Sequence, residues 1–156
     1  MRGEGLAAAL DAIITELGEA EKRERIELLI DYARSLPELP ARLAEHKDKG
    51  HRVEECQSPV FLFVEVEEDR VTIHADVPIE APTVRGFVSL LVEGLNGSRV
   101  ADVLGVRNDL IERAGLLEIL GMQRLHGLNG VLNRLRQEVA KAASGGSGRG
   151  PGILPT

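Results

Sequence analysis

The chain has 156 residues, of which 43% are hydrophobic and 28% charged, and its formal net charge is −6. This composition is typical of one soluble globular domain. The acidic balance argues against nucleic-acid binding, which needs a basic surface to meet phosphates, and against binding to anionic membranes. No apolar run of about 18 residues predicts a membrane span, and acidic residues interrupt the N-terminal stretch where a signal peptide needs an apolar core. We therefore expect a cytoplasmic protein.

The first half of the chain changes from a helical to a strand pattern. Apolar residues at helical spacing predict a helix over about 6–17 and a second over about 21–35, which prolines then stop. Residues 41–52 are polar and predict a short turn followed by a loop. Two β-rich runs at 60–67 and 71–77, joined by a charged turn, predict a β-hairpin.

The second half returns to the helical period. Helical patterns lie at about 84–95, 99–104, 108–114 and 124–143. A short strand over 53–55 is also expected, which would give about three strands. The order of elements predicts an α+β domain over residues 1–143, in which helices cover one face of a small antiparallel sheet. Residues 144–156 are rich in Gly, Ser and Pro and predict a flexible tail.

Cys56 is the single cysteine, and it lies just before the apolar run of the first strand. A lone thiol can be a nucleophile, a metal ligand, a sulfur carrier or a small core residue. A metal site is weakly supported, because one thiol with His46 and His51 matches no familiar zinc signature. A hydrolase triad is also weakly supported, since His51, His74 and His126 stand in no recognisable motif. No metal site is predicted.

The segment before the cysteine is polar and predicts a hinge from which the thiol can reach a partner. Its charges have opposite effects on the pKa of the thiol. Glu54 and Glu55 would raise that pKa, whereas His51 and Arg52 would lower it. A thiol that stays neutral until a partner docks tolerates this mixture better than a resting hydrolytic nucleophile does.

One phrase around the cysteine resembles the signature of the SufE family of sulfur acceptors: Glu55-Cys56-Gln57-Ser58-Pro59-Val60-Phe61-Leu62. Other segments are similar to elements of that family and follow its order, at residues 35–39, 75–76, 84–87 and 124–136. The resemblance covers roughly residues 10–142. Several ordered elements together are more specific than the cysteine phrase alone.

The resemblance implies a SufE/IscU-like α+β fold and a role in sulfur transfer. Cys56 would carry sulfur as a persulfide that it takes from a SufS-like cysteine desulfurase, which the protein would also stimulate. The sulfur would pass to an iron–sulfur scaffold of the SufB type. The chain would act as a partner and activator rather than as a stand-alone enzyme. It would need no cofactor, because pyridoxal phosphate belongs to the desulfurase.

Seven further residues are candidates for supporting roles. Gln57 and Ser58 are expected to hold the loop through side-chain-to-backbone hydrogen bonds. Asp76 would cap the following helix or tether a loop. Arg124, and in a similar way Arg85, would support the cysteine loop or contact the desulfurase. The full set is His51, Arg52, Gln57, Ser58, Asp76, Arg85 and Arg124.

The chain also departs from the family pattern. Glu55 stands where Gly is common, Pro59 stands where Gln is common, and Gly121-Met122-Gln123 replaces an expected Ser/Thr-Pro-Ser stretch. Three alternatives therefore remain open at this point. The protein could serve a related sulfur pathway, could be a Cys-dependent small-molecule enzyme with a histidine in reach, or could activate a desulfurase without carrying sulfur.

Overall fold

Seven α-helices and a β-hairpin make up the structure, a computed structural model that describes residues 8–145 apart from the side chain of Lys49. Short 3₁₀ turns at Lys49–His51 and Leu116–Glu118 join some of these elements. In chain order the elements are α1 (Ala8–Glu19), α2 (Lys22–Ser35), α3 (Ala41–Ala44), β1 (Phe61–Glu67), β2 (Arg70–Asp76), α4 (Pro82–Leu95), α5 (Val100–Leu104), α6 (Leu110–Arg113) and α7 (Met122–Ser144).

Helix α4 is the centre of the core, because most of its side chains are buried. It packs against α1 and α2 on one side and against the sheet on the other. Phe87 of α4 and Leu29 of α2 are fully buried, and burial of each such side chain contributes about 1.5–3 kcal/mol. The two helices touch at Gly86, where an added Cβ would lie only 2.1 Å from the carbonyl oxygen of Leu29.

The sheet is one antiparallel hairpin. Its register runs from Phe61 opposite Asp76 to Glu67 opposite Arg70. Glu68 and Asp69 form the two-residue turn, and both have positive φ, as the tight turns that match strand twist require. Alternate residues of β2 are buried on the face covered by helices.

The α+β class is confirmed, but the expectation of about three strands is wrong for residues 8–145. Residues 54–55 form a turn, and the sheet is extended by isolated bridges, one between Arg52 and Phe61 and one between Arg70 and Arg99. The chain leaves the sheet there because it turns towards α7. No helix in this part of the chain combines the length and apolar character of a bilayer span.

The boundaries of the last helix also differ from the prediction. Helix α7 begins at Met122, before the predicted start at residue 124, and it includes Ser144. The predicted flexible tail otherwise falls mostly on residues 146–156, which lie outside the described residues. The division into a domain and a tail therefore stays a prediction.

Candidate functional site

The cysteine lies in a short loop that two buried valines close. The N–H of Val53 donates a hydrogen bond to the carbonyl oxygen of Val60 over 2.9 Å, and both valines are fully buried. Within the loop, the N–H of Cys56 donates to the carbonyl of Val53, and the N–H of Val60 donates to that of Ser58. The loop therefore has a firm base at the start of β1.

The thiol of Cys56 is buried in the core rather than held out at the tip of a hinge. The residue is only 4% exposed and packs on α7 at Gly127. A Cβ added to Gly127 would lie 3.2 Å from the sulfur atom. In this conformation the thiol does not reach outwards, because a glycine lets the loop lie directly on the helix backbone. The expected movement towards a partner stays a prediction.

One face of α7 follows the whole cysteine segment. Gly127, Gly130 and Arg134 are spaced three and four residues apart and so lie on the same side of the helix. Gly130 faces Glu55, whose Cβ would lie 2.5 Å from an added Cβ on the glycine. Arg134 donates to the carbonyl oxygens of Arg52, over 2.8 Å, and of Gly50.

A small cavity of about 230 Å³ opens beside the thiol. Residues from the loop, from α4 and from the first turns of α7 contribute to it. Its volume leaves room for a small chemical group next to the cysteine. The cavity is lined by Cys56, Gln57, Ser58, Val84, Gln123, Arg124 and Gly127.

Burial raises the pKa of the Cys56 thiol, and three weaker influences oppose that rise. A backbone hydrogen bond from Ser58 and the positive charges of Arg124 and Arg52 lower the same pKa. The predicted effect of Arg52 thus agrees with the structure. Desolvation, and not the charge of Glu54 or Glu55, is the cause of the raised pKa. The resting thiol is therefore mainly protonated at neutral pH.

Arg124 joins α7 to α4 beside this cavity. Its Nη1 donates to Oγ1 of Thr83 over 2.7 Å. Helix α7 thus begins with a cation that both lines the cavity and lowers the pKa of Cys56. Among the supporting residues predicted from sequence, Arg124, Gln57 and Ser58 are the ones that line the cavity with the cysteine.

The hydrogen bonds that hold the loop differ from those predicted. Between Val53 and Val60, backbone groups make them, and the side chains of Gln57 and Ser58 make none. Gln57 is instead exposed, while its neighbour Ser58 acts through its main chain. A loop held by few side-chain bonds has little to break when it moves.

The remaining supporting residues lie outside the cavity. His51 stacks on Phe63, with ring centroids 4.3 Å apart, and its Nδ1 lies 3.0 Å from a carboxylate oxygen of Asp48. Its predicted effect on the thiol therefore finds no support in this geometry. The charge of Arg52 lowers the pKa of the thiol, while its carbonyl accepts the hydrogen bond from α7.

Asp76 and Arg85 act as tethers between elements. Asp76 accepts a hydrogen bond from Lys47 over 2.8 Å, so it holds the segment after α3 and does not cap α4, whose N-cap is Ala81. Arg85 donates to the carbonyl of Ala33 over 2.7 Å and to that of Val77. Both residues stabilise the scaffold around the site.

The described residues around this thiol do not support a Cys–His enzyme or a metal site. No histidine is among the described residues that line the cavity, so the lining offers no imidazole base for a Cys–His enzyme. In the same part of the chain, no group of three or more His, Cys, Asp or Glu residues could hold a metal ion.

Sequence reasoning missed the role of the α7 face. Gly127, Gly130 and Arg134 contact the cysteine segment, although none of them was among the candidates. Two glycines three residues apart inside a long helix were a usable signal, because glycine in a helix interior is unfavourable without a packing reason.

Comparisons with known proteins give a consistent result. A family model described as "SufE: Fe-S metabolism associated domain" matches residues 11–139. An uncharacterized SufE-like protein of Mycobacterium tuberculosis is 37% identical over 138 residues, which cover 88% of this chain and 95% of that protein. The cysteine desulfuration protein SufE of Plasmodium falciparum is 30% identical over 99 residues, or 59% of this chain and 38% of that protein.

A solved structure is also similar. It is the solution structure of a hypothetical protein from Thermus thermophilus, with a TM-score of 0.76 and 35% sequence identity. The match covers 87% of this chain and 96% of that one. The likeness therefore extends over nearly the whole fold.

Proposed function

Because this chain belongs to the SufE family, we propose that it accepts persulfide sulfur from a cysteine desulfurase on Cys56 and delivers it for iron–sulfur cluster assembly. The family places the chain in sulfur transfer within iron–sulfur metabolism, in partnership with a cysteine desulfurase. The main support for Cys56 as the sulfur acceptor is the position of its thiol. The single cysteine lies in a short loop beside a cavity that also contains Arg124.

The proposed reaction is thiol–persulfide exchange. The thiolate of Cys56 attacks the terminal sulfur of the desulfurase persulfide, and a new S–S bond forms as the old one breaks. The desulfurase cysteine leaves as a thiolate, and Cys56 carries the persulfide. One proton leaves the Cys56 thiol and one is available to the departing thiolate, so the exchange needs no external oxidant or reductant.

Burial gives the carrier a protected resting state. An exposed persulfide is readily reduced or oxidised. The cavity of about 230 Å³ next to Cys56 has room for one additional sulfur atom, and Arg124 places a positive charge there. A persulfide anion formed on Cys56 would therefore lie in a shielded and electrostatically favourable position.

The same burial requires the loop to move during transfer. A thiol that is 4% exposed cannot make the in-line approach that exchange with another protein requires. The base of the loop at Val53 and Val60 is fixed in the core, whereas the segment between them contacts α7 largely through glycines. The loop can therefore open without unfolding the domain.

Stimulation of the desulfurase follows from the same exchange, since removal of the persulfide frees the desulfurase cysteine for another turnover. Under this proposal the chain itself holds no cofactor, and pyridoxal phosphate acts in the desulfurase. A SufB-type scaffold is the proposed recipient of the sulfur. The chain is thus a sulfur-transfer partner and not a stand-alone enzyme.

Mass spectrometry after incubation with a SufS-type desulfurase and cysteine tests the proposal. We expect the wild-type protein to gain the mass of one sulfur atom, and Cys56→Ser to gain none. Failure of the wild type to gain sulfur from its cognate desulfurase would overturn the carrier role. If Cys56→Ser still stimulated the desulfurase fully, the protein would be an activator that carries no sulfur.

A further inference from the structure

The cysteine segment lies along one stripe of α7 in the opposite chain direction. From the beginning of the helix, Gly127 contacts Cys56 and Gly130 contacts Glu55. One turn later, Arg134 binds the carbonyl oxygen of Arg52. The contacts therefore change in kind along the stripe, from close packing on glycine to hydrogen bonds with a cation.

Arg134 joins the helix to this segment through side-chain hydrogen bonds. Its guanidinium group donates to the carbonyl oxygens of Arg52 and Gly50, and its Nε donates to Glu138 over 3.0 Å. The side chains of Arg134 and Glu138 are 18% and 16% exposed, and the bonds to Arg52 and Glu138 are partly buried, while the bond to Gly50 is exposed. Glu138 orients the guanidinium from the next turn of the same helix.

The other end of the segment is held differently. Gly127 and Gly130 have no side chains with which to hold the loop, and the contacts there are van der Waals contacts with Cys56 and Glu55. Such contacts are individually weak and are lost as soon as the surfaces separate. The segment thus has a stem that is bonded to α7 and a tip that only rests on it.

We propose that Arg134 is a positioning residue that anchors the stem of the cysteine loop at Gly50 and Arg52, so that the loop opens by pivoting between Arg52 and Cys56. While the stem is anchored, the thiol returns to the same place beside the cavity after each opening. The proposal deepens the proposed function and rests on it only where it names the desulfurase as the protein that the open loop meets.

Loss of the anchor has two opposite consequences. A free stem lets the thiol leave its buried position more often, which increases its reactivity towards a small reagent in solution. The same freedom misplaces the thiol for a persulfide that is held in the active site of another protein, where a displacement of about 1 Å is costly. A residue that only stabilised the fold would not separate these two reactivities.

The test compares Arg134→Gln with the wild type under native conditions. We expect alkylation of Cys56 by iodoacetamide to become about 5-fold faster or more, the factor that corresponds to about 1 kcal/mol in the closed–open equilibrium. We also expect sulfur loading at saturating desulfurase to become slower. Arg134→Lys keeps a cation that can reach the carbonyl oxygens. We therefore expect its rates of alkylation and of sulfur loading to lie between those of Arg134→Gln and the wild type.

Arg136→Gln is the matched control. Arg136 lies on the same helix but donates to the carbonyl of Val106 and to Asn108 and Asn133, away from the cysteine segment. We expect its substitution to leave alkylation of Cys56 near the wild-type rate. An equal rise in both variants, or no rise in Arg134→Gln, would overturn the anchor.

The alkylation assay needs no desulfurase, so it distinguishes failure of this inference from failure of the proposed function. If Arg134→Gln is alkylated faster but the wild type never accepts sulfur, the proposed role of Arg134 stands and the proposed role of Cys56 as a sulfur carrier is refuted. If the wild type accepts sulfur normally but Arg134→Gln is alkylated at the wild-type rate, the proposed role of Arg134 is refuted and the role of Cys56 as a sulfur carrier stands.

Discussion

Cys56 and Gly127 are in such close contact that the thiol rests on the backbone of α7. A Cβ atom on Gly127 would lie 3.2 Å from the sulfur and 3.3 Å from the Cα atom of Cys56. Both distances are tighter than ordinary van der Waals contacts. The absence of one methyl group on the helix therefore decides how deeply the thiol can be buried.

Replacement of Gly127 by alanine should expose the thiol. The added methyl group pushes the cysteine loop outwards by a few tenths of an ångström, while alanine gains about 1 kcal/mol of helix propensity over glycine. We expect faster alkylation of Cys56 with less than about 1 kcal/mol change in the free energy of unfolding, because these effects oppose each other. Gly121→Ala, at a position with open space around it, is the control. Unchanged alkylation of Gly127→Ala would contradict the prediction.

Arg124 should affect the ionisation of the cysteine through its charge. Since that charge lowers the pKa of Cys56, Arg124→Gln should raise the pKa further and shift the pH profile of alkylation to higher pH. Thr83→Val removes the hydrogen bond of Arg124 but keeps the cation, and we expect a smaller shift. The difference from wild type should shrink at high salt, which screens charges. Superimposable profiles for Arg124→Gln and wild type would show that the charge has no effect.

The buried thiol should make stability depend on pH. Burial raises the pKa of Cys56 in the folded protein, so its contribution to stability is complete below the pKa of the unfolded chain. That contribution is lost as the pH rises through the folded-state pKa. Relative to Cys56→Ala, the wild type should lose stability above about pH 8.5, the ordinary pKa of a cysteine thiol. Urea denaturation of both proteins measures this difference, and parallel pH dependences would refute it.

Arg25 should be essential to the fold without taking part in sulfur transfer. It is 5% exposed and donates to the backbone carbonyls of Leu17, Ala20 and Gly115, which joins α1, α2 and the turn after α6. Arg25→Met leaves these acceptors without a donor, and we expect it to cost about 2–4 kcal/mol in the free energy of unfolding.

Arg113→Met is the comparison for Arg25. It removes an exposed ion pair with Asp11, which should cost less than about 1 kcal/mol. Denaturant unfolding compares the two variants. Sulfur loading of the folded Arg25→Met protein should match wild type. Slower loading by the fully folded variant would contradict a purely structural role.

Local pattern was sufficient for most of the secondary structure. The helical spacing of apolar residues predicted α1, α2, α4 and α7, and the two β-rich runs predicted the hairpin. These predictions succeeded because each element buries one face. The residues of that face recur every few positions along the chain, so the sequence shows the pattern directly. The strand predicted at 53–55 failed because pairing depends on where the chain goes next, and here it turns towards α7.

The sequence by itself determined the α+β class, the family signature around Cys56 and the candidate cation at Arg124. Tertiary structure decided that the thiol is buried, that Gly127 and Gly130 receive the cysteine segment, and that Arg134 binds the carbonyl of Arg52, 82 residues away in the chain. The physical reason is that burial and anchoring arise from packing between distant segments. The residue pattern within each segment does not predict that Arg134 will bind the carbonyl of Arg52 or that the sulfur of Cys56 will contact Gly127.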